Sequence, residues 1–138
     1  MSNRKILLAD DDAEDREIIR DAMEAVNAEQ RICFVENGEQ ALHELDRSYN
    51  AADPPCLIVL DLNMPRLNGT ETLRRLKSDG RFENIPVIIF STSINTFEKE
   101  KCMSLGAASY ITKPVSYDEC LQTVNTFLSF CKPAPAAN

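Results

Sequence analysis

Five short apolar runs constrain this chain more than any other feature. Residues 6–9, 32–35, 56–60, 87–90 and 108–112 are strand-length, and longer stretches with helical periodicity separate them. Ile18, Ile19, Ala22, Met23 and Val26 recur at that spacing, as do Ala41, Leu42 and Leu45, then Leu73 and Leu76, then Leu121, Val124 and Leu128. Asn37-Gly38 is a turn signal before the second helix. Asn95 with Glu98 and Ser116 with Glu119 read as capping boxes, and Gly106 as a helix stop. Three of the five runs are apolar throughout instead of alternating. Such strands are covered on both faces, which predicts a parallel sheet with helices on each side. Right-handed crossovers then bring every strand's C-terminal end to one edge, where ligands bind in open α/β sheets.

The residues at that edge carry the chemistry. The first run ends in Asp10, Asp11 and Asp12, the second in Glu36 and Asn37, the third in Asp61, the fourth in Ser91, and the fifth in Lys113-Pro114. Topology alone thus gathers carboxylates, a hydroxyl and a lysine that are far apart in sequence. Close carboxylates repel unless a cation lies between them, and an all-oxygen set favours a hard ion such as Mg²⁺. A carboxylate beside Mg²⁺ can attack phosphorus, and a lysine can neutralise the transferring phosphoryl group.

Composition excludes other classes. The chain has 138 residues, enough for one domain, and a formal net charge of −7 that argues against nucleic-acid phosphate as a partner. Six acids against one arginine lie between residues 10 and 17, so the acidity is concentrated at the first strand end. No apolar run is long enough to span a bilayer and no secretory leader is evident, so no membrane partner and a cytoplasmic location are expected. The five cysteines, Cys33, Cys56, Cys102, Cys120 and Cys131, are widely spaced and read as mostly buried thiols. With His43 the lone histidine and no close cysteine pair, zinc is not expected, and neither is a disulfide framework.

Taken in order, four segments resemble the receiver domain of two-component response regulators, over about residues 4 to 131: Ile6-Leu7-Leu8-Ala9-Asp10-Asp11-Asp12, Leu60-Asp61-Leu62-Asn63-Met64-Pro65-Arg66-Leu67-Asn68-Gly69, Pro86-Val87-Ile88-Ile89-Phe90-Ser91 and Gly106-Ala107-Ala108-Ser109-Tyr110-Ile111-Thr112-Lys113-Pro114. The resemblance implies a doubly wound, flavodoxin-like (βα)5 fold with strand order 2-1-3-4-5. It implies Asp61 as the phosphoacceptor. It implies Mg²⁺ held by Asp11, Asp61 and the Asn63 backbone carbonyl, with Asp10 acting through water. Ser91 is the implied switch hydroxyl, Lys113 the phosphate-neutralising lysine and Tyr110 the switch aromatic. Pro114 is expected to follow a cis peptide, and Gly69 fits the tight loop after the acceptor strand. Asp12 is left between capping the first helix and tuning the metal.

The expected function is that of a single-domain response regulator. It is expected to accept a phosphoryl group from a histidine kinase or a histidine phosphotransfer protein, and the long connection at residues 47–55 resembles receivers that pair with phytochrome-type kinases. The domain is expected at 1–131 and a short flexible tail at 132–138. With so little chain beyond the last helix, output is expected through a protein target or a homodimer at the face of the fourth helix, fifth strand and fifth helix. A degenerate receiver that only binds is a rival, but no member of the acid, hydroxyl and lysine set is missing. An aspartate-nucleophile phosphatase is another; such enzymes carry an acid two residues after the nucleophile, where Asn63 stands and cannot shuttle a proton. The chain is therefore not expected to be an enzyme beyond its own phosphorylation and dephosphorylation. The charges at Glu98, Lys99, Glu100 and Lys101 are expected to be a solvated face, and His43 to be exposed or partly exposed.

Overall fold

The computed structural model describes residues 4–92 and 94–131. The elements alternate as expected: β1 (Ile6–Ala9), α1 (Ala13–Ala25), β2 (Ile32–Val35), α2 (Gly38–Asn50), β3 (Leu57–Asp61), α3 (Gly69–Lys77), β4 (Val87–Ser91), α4 (Thr96–Ser104), β5 (Ser109–Thr112) and α5 (Tyr117–Ser129). A 3-10 turn, Glu29–Arg31, precedes β2. The five strands pair in parallel in the order β2-β1-β3-β4-β5. Among the described residues, no helix is long and apolar enough to cross a membrane.

Strand periodicity divides the core. Ile6 and Leu8 of β1 join Ile19, Met23, Val124 and Phe127 on the face covered by α1 and α5. Leu7 and Ala9 turn the other way, toward Ala41, Leu45, Leu73, Leu76 and Cys102 under α2, α3 and α4. β1, β3 and β4 are buried along their whole length, which is why their sequences are unbroken apolar runs. The outer strands β2 and β5 are only half-buried.

The two caps expected from sequence, Asn95 and Ser116, form, and Asn37 and Asn68 add two that are not expected. Asn37, Asn68, Asn95 and Ser116 each accept a hydrogen bond from the N–H three residues on, at 2.9–3.1 Å. Gly106 takes φ +109° just past α4, a conformation that suits glycine. Two helix readings need adjustment. α2 continues through Asn50, so the exposed connection begins four residues later than expected, and its turn closes with Asp53 N–H donating to Ser48 O at 2.8 Å. Ile18 is 42% exposed and lies outside the buried stripe of α1, because Ile19, Ala22 and Met23 already fill the sheet-facing side.

The cysteine expectation fails at one pair. Cys56 and Cys131 form a disulfide with Cα atoms 5.1 Å apart and a sequence separation of 75. The turn after α5 returns the chain to the start of β3, and only that return makes the two neighbours. The other three remain thiols: Cys102 and Cys120 are buried and Cys33 is half-buried, and burial pushes all three above the ordinary thiol value. His43 is exposed, as are Lys99, Glu100 and Lys101 on α4. The tail at 132–138 lies outside the described residues.

Candidate functional site

Each strand delivers its last residue to the same rim. Asp10 N–H donates to Val35 O at 3.0 Å, which carries the sheet pairing one residue past β1 and places Asp10 between β2 and β3 with no exposure. Asp11 and Asp12 follow and are exposed. Asp61 and Ser91, at the ends of β3 and β4, are buried. Lys113 N–H donates to Ser91 O at 2.6 Å, which fixes the lysine backbone beside β4.

Carboxylate oxygens of Asp10, Asp11 and Asp61 lie within 4.8 Å of one another. Lys113 Nζ lies 2.8 Å from Asp10 Oδ2 and 3.5 Å from Asp61 Oδ2. Burial and then the charge of Asp10 push the Asp61 carboxyl up to about 7, against the opposing pull of Lys113 and the Asn63 N–H. Burial works against the charge on Lys113, but its hydrogen bonds to Asp10 and Asp15 and the fields of Asp10 and Asp61 hold it above the ordinary lysine value.

The acidic cluster fits a divalent cation. Asp10 Oδ2 is fully buried, and its partner is the Lys113 ammonium at 2.8 Å. Three clustered carboxylates against one ammonium leave uncompensated negative charge in a partly buried site, which is unfavourable unless a further positive charge joins them. Three oxygen donors of this kind, one of them exposed, suit a hard ion that keeps several waters.

Gly69 is forced by this geometry. Its N–H donates to Leu62 O at 3.1 Å, and a Cβ there would stand 2.3 Å from Asp61 O and 3.0 Å from Leu62 Cα. The start of α3 is thereby pressed against the backbone that carries Asp61. Gly69→Ala is expected to cost about 2–3 kcal/mol in urea unfolding, as overpacking against backbone does. A loss below about 0.5 kcal/mol would show that this approach is not tight.

The remaining candidates sort as follows. Asn63 is exposed, and its N–H points at Asp61 Oδ1 from 3.4 Å. Tyr110 pairs with Ile89 in the sheet and is half-buried against the α2–α3–α4 core. Asp12 caps α1, accepting from Glu14 N at 2.8 Å and Asp15 N at 3.2 Å, so the structure favours its capping role. The cis peptide expected before Pro114 is absent: no described peptide bond is cis. The lysine reaches inward anyway, because its backbone is tied to Ser91 and its side chain is drawn into the acids. Two participants went unread in sequence. Arg16 Nη1 donates to Asp10 O at 2.7 Å, and Asp15 Oδ2 accepts from Lys113 Nζ at 2.8 Å. The dense acidic run was the available signal, but it does not say which acid faces the rim.

A profile of the response regulator receiver domain matches residues 6–125. The chain belongs to the response regulator receiver family. This receiver is 34% identical over 110 residues to the chemotaxis protein CheY1 of Helicobacter pylori, covering 80% of this chain and 85% of that one. It also matches longer curated response regulators, of which it spans 54%. Among solved structures it resembles the phosphorylated cyanobacterial phytochrome response regulator RcpA, at 33% identity with a TM-score of 0.80 over 92% of each chain. It resembles the Mn²⁺-bound form of response regulator Rcp1 at 25% identity, TM-score 0.80, over 98% of this chain and 99% of that one. The receiver fold and strand order expected from sequence are therefore both observed.

Proposed function

We propose that this receiver is a phosphorylation-dependent signalling module with Asp61 as its phosphoacceptor. The observation that carries the reading is the buried Asp61 carboxylate at a strand end, clustered with Asp10 and Asp11 and within 3.5 Å of the Lys113 ammonium. An Asp61 oxygen attacks the phosphorus of a phosphohistidine. A P–O bond forms, the P–N bond breaks, and the electron pair returns to the imidazole nitrogen, which takes up a proton. Asp11, Asp61 and the Asn63 carbonyl would hold Mg²⁺, with Asp10 acting through water. The ion would neutralise charge on the phosphoryl oxygens.

Ser91 and Lys113 would receive the new phosphoryl oxygens, and Tyr110 would repack in response. That shift would bias the α4-β5-α5 face between two arrangements. Exposed Ile94 and Phe97 at the start of α4, Met103 near its end, and Val115 and Tyr117 at the start of α5 make this face apolar enough to bind a protein target or a second copy. The donor would be a sensor histidine kinase or a histidine phosphotransfer protein in the cytoplasm. The likeness to RcpA, described as a phytochrome response regulator, supports a phytochrome-type kinase. Neither nucleic acid nor membrane is a partner in this reading, and the chain turns over no separate substrate.

The test is Mg²⁺-dependent uptake of beryllofluoride or of phosphoryl from a small donor, one equivalent per chain, lost when Asp61 is replaced. Mg²⁺ binding should also depend on pH. A proton held at about 7 competes with the metal, so Mg²⁺ affinity should rise about tenfold between pH 6 and pH 8. The folded-state value lies above the ordinary 3.8, so the native state binds the extra proton. Metal-free stability therefore falls as pH rises from about 4 through about 7, and saturating Mg²⁺ removes that loss. Calorimetric titration at several pH values checks both, and a flat affinity profile would contradict them.

A further inference from the structure

Lys113 is shared among three carboxylates, and they are not equivalent. Its ammonium lies 2.8 Å from Asp10 Oδ2, 2.8 Å from Asp15 Oδ2 and 3.5 Å from Asp61 Oδ2. The contact with the acceptor is thus the longest of the three. The lysine backbone cannot shift to shorten it, because Lys113 N–H is bonded to Ser91 O at 2.6 Å. Movement toward Asp61 comes from the side chain, and it competes with two close partners that already take two of the three ammonium protons.

Burial decides which partner is released. The Asp10 side chain is 1% exposed and that of Asp15 is 27% exposed. Taking the ammonium from Asp10 would leave a buried carboxylate unpaired, which is costly. Taking it from Asp15 returns an accessible carboxylate to water, which costs little. Asp15 is itself held in place: its N–H is capped by Asp12 Oδ1 at 3.2 Å in the first turn of α1. Its backbone is thereby fixed at the rim, with the carboxylate in reach of the lysine.

We propose that Asp15 is a positioning residue for Lys113, holding its ammonium partway off Asp61 until a phosphoryl group on Asp61 draws it in. This rests on the reading of Asp61 as phosphoacceptor. Asp15 then sets how readily the phosphorylated state forms, because that state competes with Asp15 for the ammonium. It touches neither the metal cluster nor the acceptor, and acts only through the lysine.

The test measures beryllofluoride affinity at saturating Mg²⁺ in wild type, Asp15→Asn, Asp15→Glu and Asp12→Asn. Removing the competing carboxylate in Asp15→Asn is expected to tighten binding about three- to tenfold. Asp15→Glu keeps a carboxylate in reach and should return affinity to within about twofold of wild type. Asp12→Asn removes the same charge from the same helical turn while keeping a good cap and touching no lysine, so it should not tighten binding. In ligand-free protein the ¹⁵N resonance of the Lys113 ammonium should move on Asp15→Asn and stay in place on Asp12→Asn. Equal tightening in Asp15→Asn and Asp12→Asn would reduce the effect to general charge and overturn the proposal. Unchanged affinity with an unmoved lysine resonance would overturn it too. If wild type itself shows no Asp61-dependent binding, the phosphoacceptor reading fails and takes this inference with it. If wild type binds and Asp15→Asn behaves like wild type, only the inference fails.

Discussion

Asp61→Asn is expected to take up no beryllofluoride and no phosphoryl group under conditions where wild type reaches one equivalent. The amide has no anionic oxygen to attack phosphorus, and it removes one of the three carboxylates that make the site attractive to a divalent ion. The same substitution carries a second signature that depends on pH. Ionised Asp61 is opposed by its burial and by Asp10, which is why its carboxyl is raised to about 7. At pH 8, without metal, wild type holds that unfavourable charge and Asp61→Asn does not, so the variant should melt higher. At pH 5 the wild-type carboxyl is already protonated, and the difference should shrink toward zero. Phosphoryl uptake followed by intact-protein mass spectrometry, with thermal melts at the two pH values, reads both effects. Full uptake by the variant would move the acceptor elsewhere. A Tm difference independent of pH would show that Asp10 and burial do not act on Asp61 as the geometry requires.

Opening the Cys56–Cys131 bridge is expected to give the largest change in stability. The bridge joins the start of β3 to the turn after α5 across 75 residues. In the chain-entropy account a loop of that length is worth about 4 kcal/mol, and native bridges typically deliver 2–4 kcal/mol. For a domain of this size that corresponds to a fall in Tm of about 10 °C. Both cysteines sit in the core that holds Ile6, Leu57, Val124 and Phe127, so the loss should be felt first as fraying of the last turn of α5. The Cys56→Ser, Cys131→Ser double variant should match reduced wild type and should not respond to reductant. If reductant leaves the wild-type melt unmoved, the bridge contributes nothing. In a reducing compartment the dithiol form is the working state, and the lower stability is then the relevant one.

The sequence by itself determined the layers, the helix starts and the chemical inventory of the rim. β1, β3 and β4 are central strands covered on both sides, and that burial writes itself into sequence as unbroken apolar runs. The caps at Asn95 and Ser116 are local, so their signals are local too. Asp10, Asp61, Ser91 and Lys113 could be assigned to one edge because parallel connectivity sends every strand end there.

Tertiary structure alone decided the pairings. Nothing in the spacing of Cys56 and Cys131 marks them as neighbours, since they meet only when α5 returns across the sheet. Six acids crowd residues 10–17, yet only placement distinguishes buried Asp10, exposed Asp11, the cap Asp12 and the lysine partner Asp15. The inward turn of Lys113 needs no cis peptide, because the carboxylates that attract it come from β1, β3 and α1. Backbone periodicity and capping act over a few residues and can be read along a chain. Ion pairing and burial act through space, and only the folded sheet brings their partners within reach.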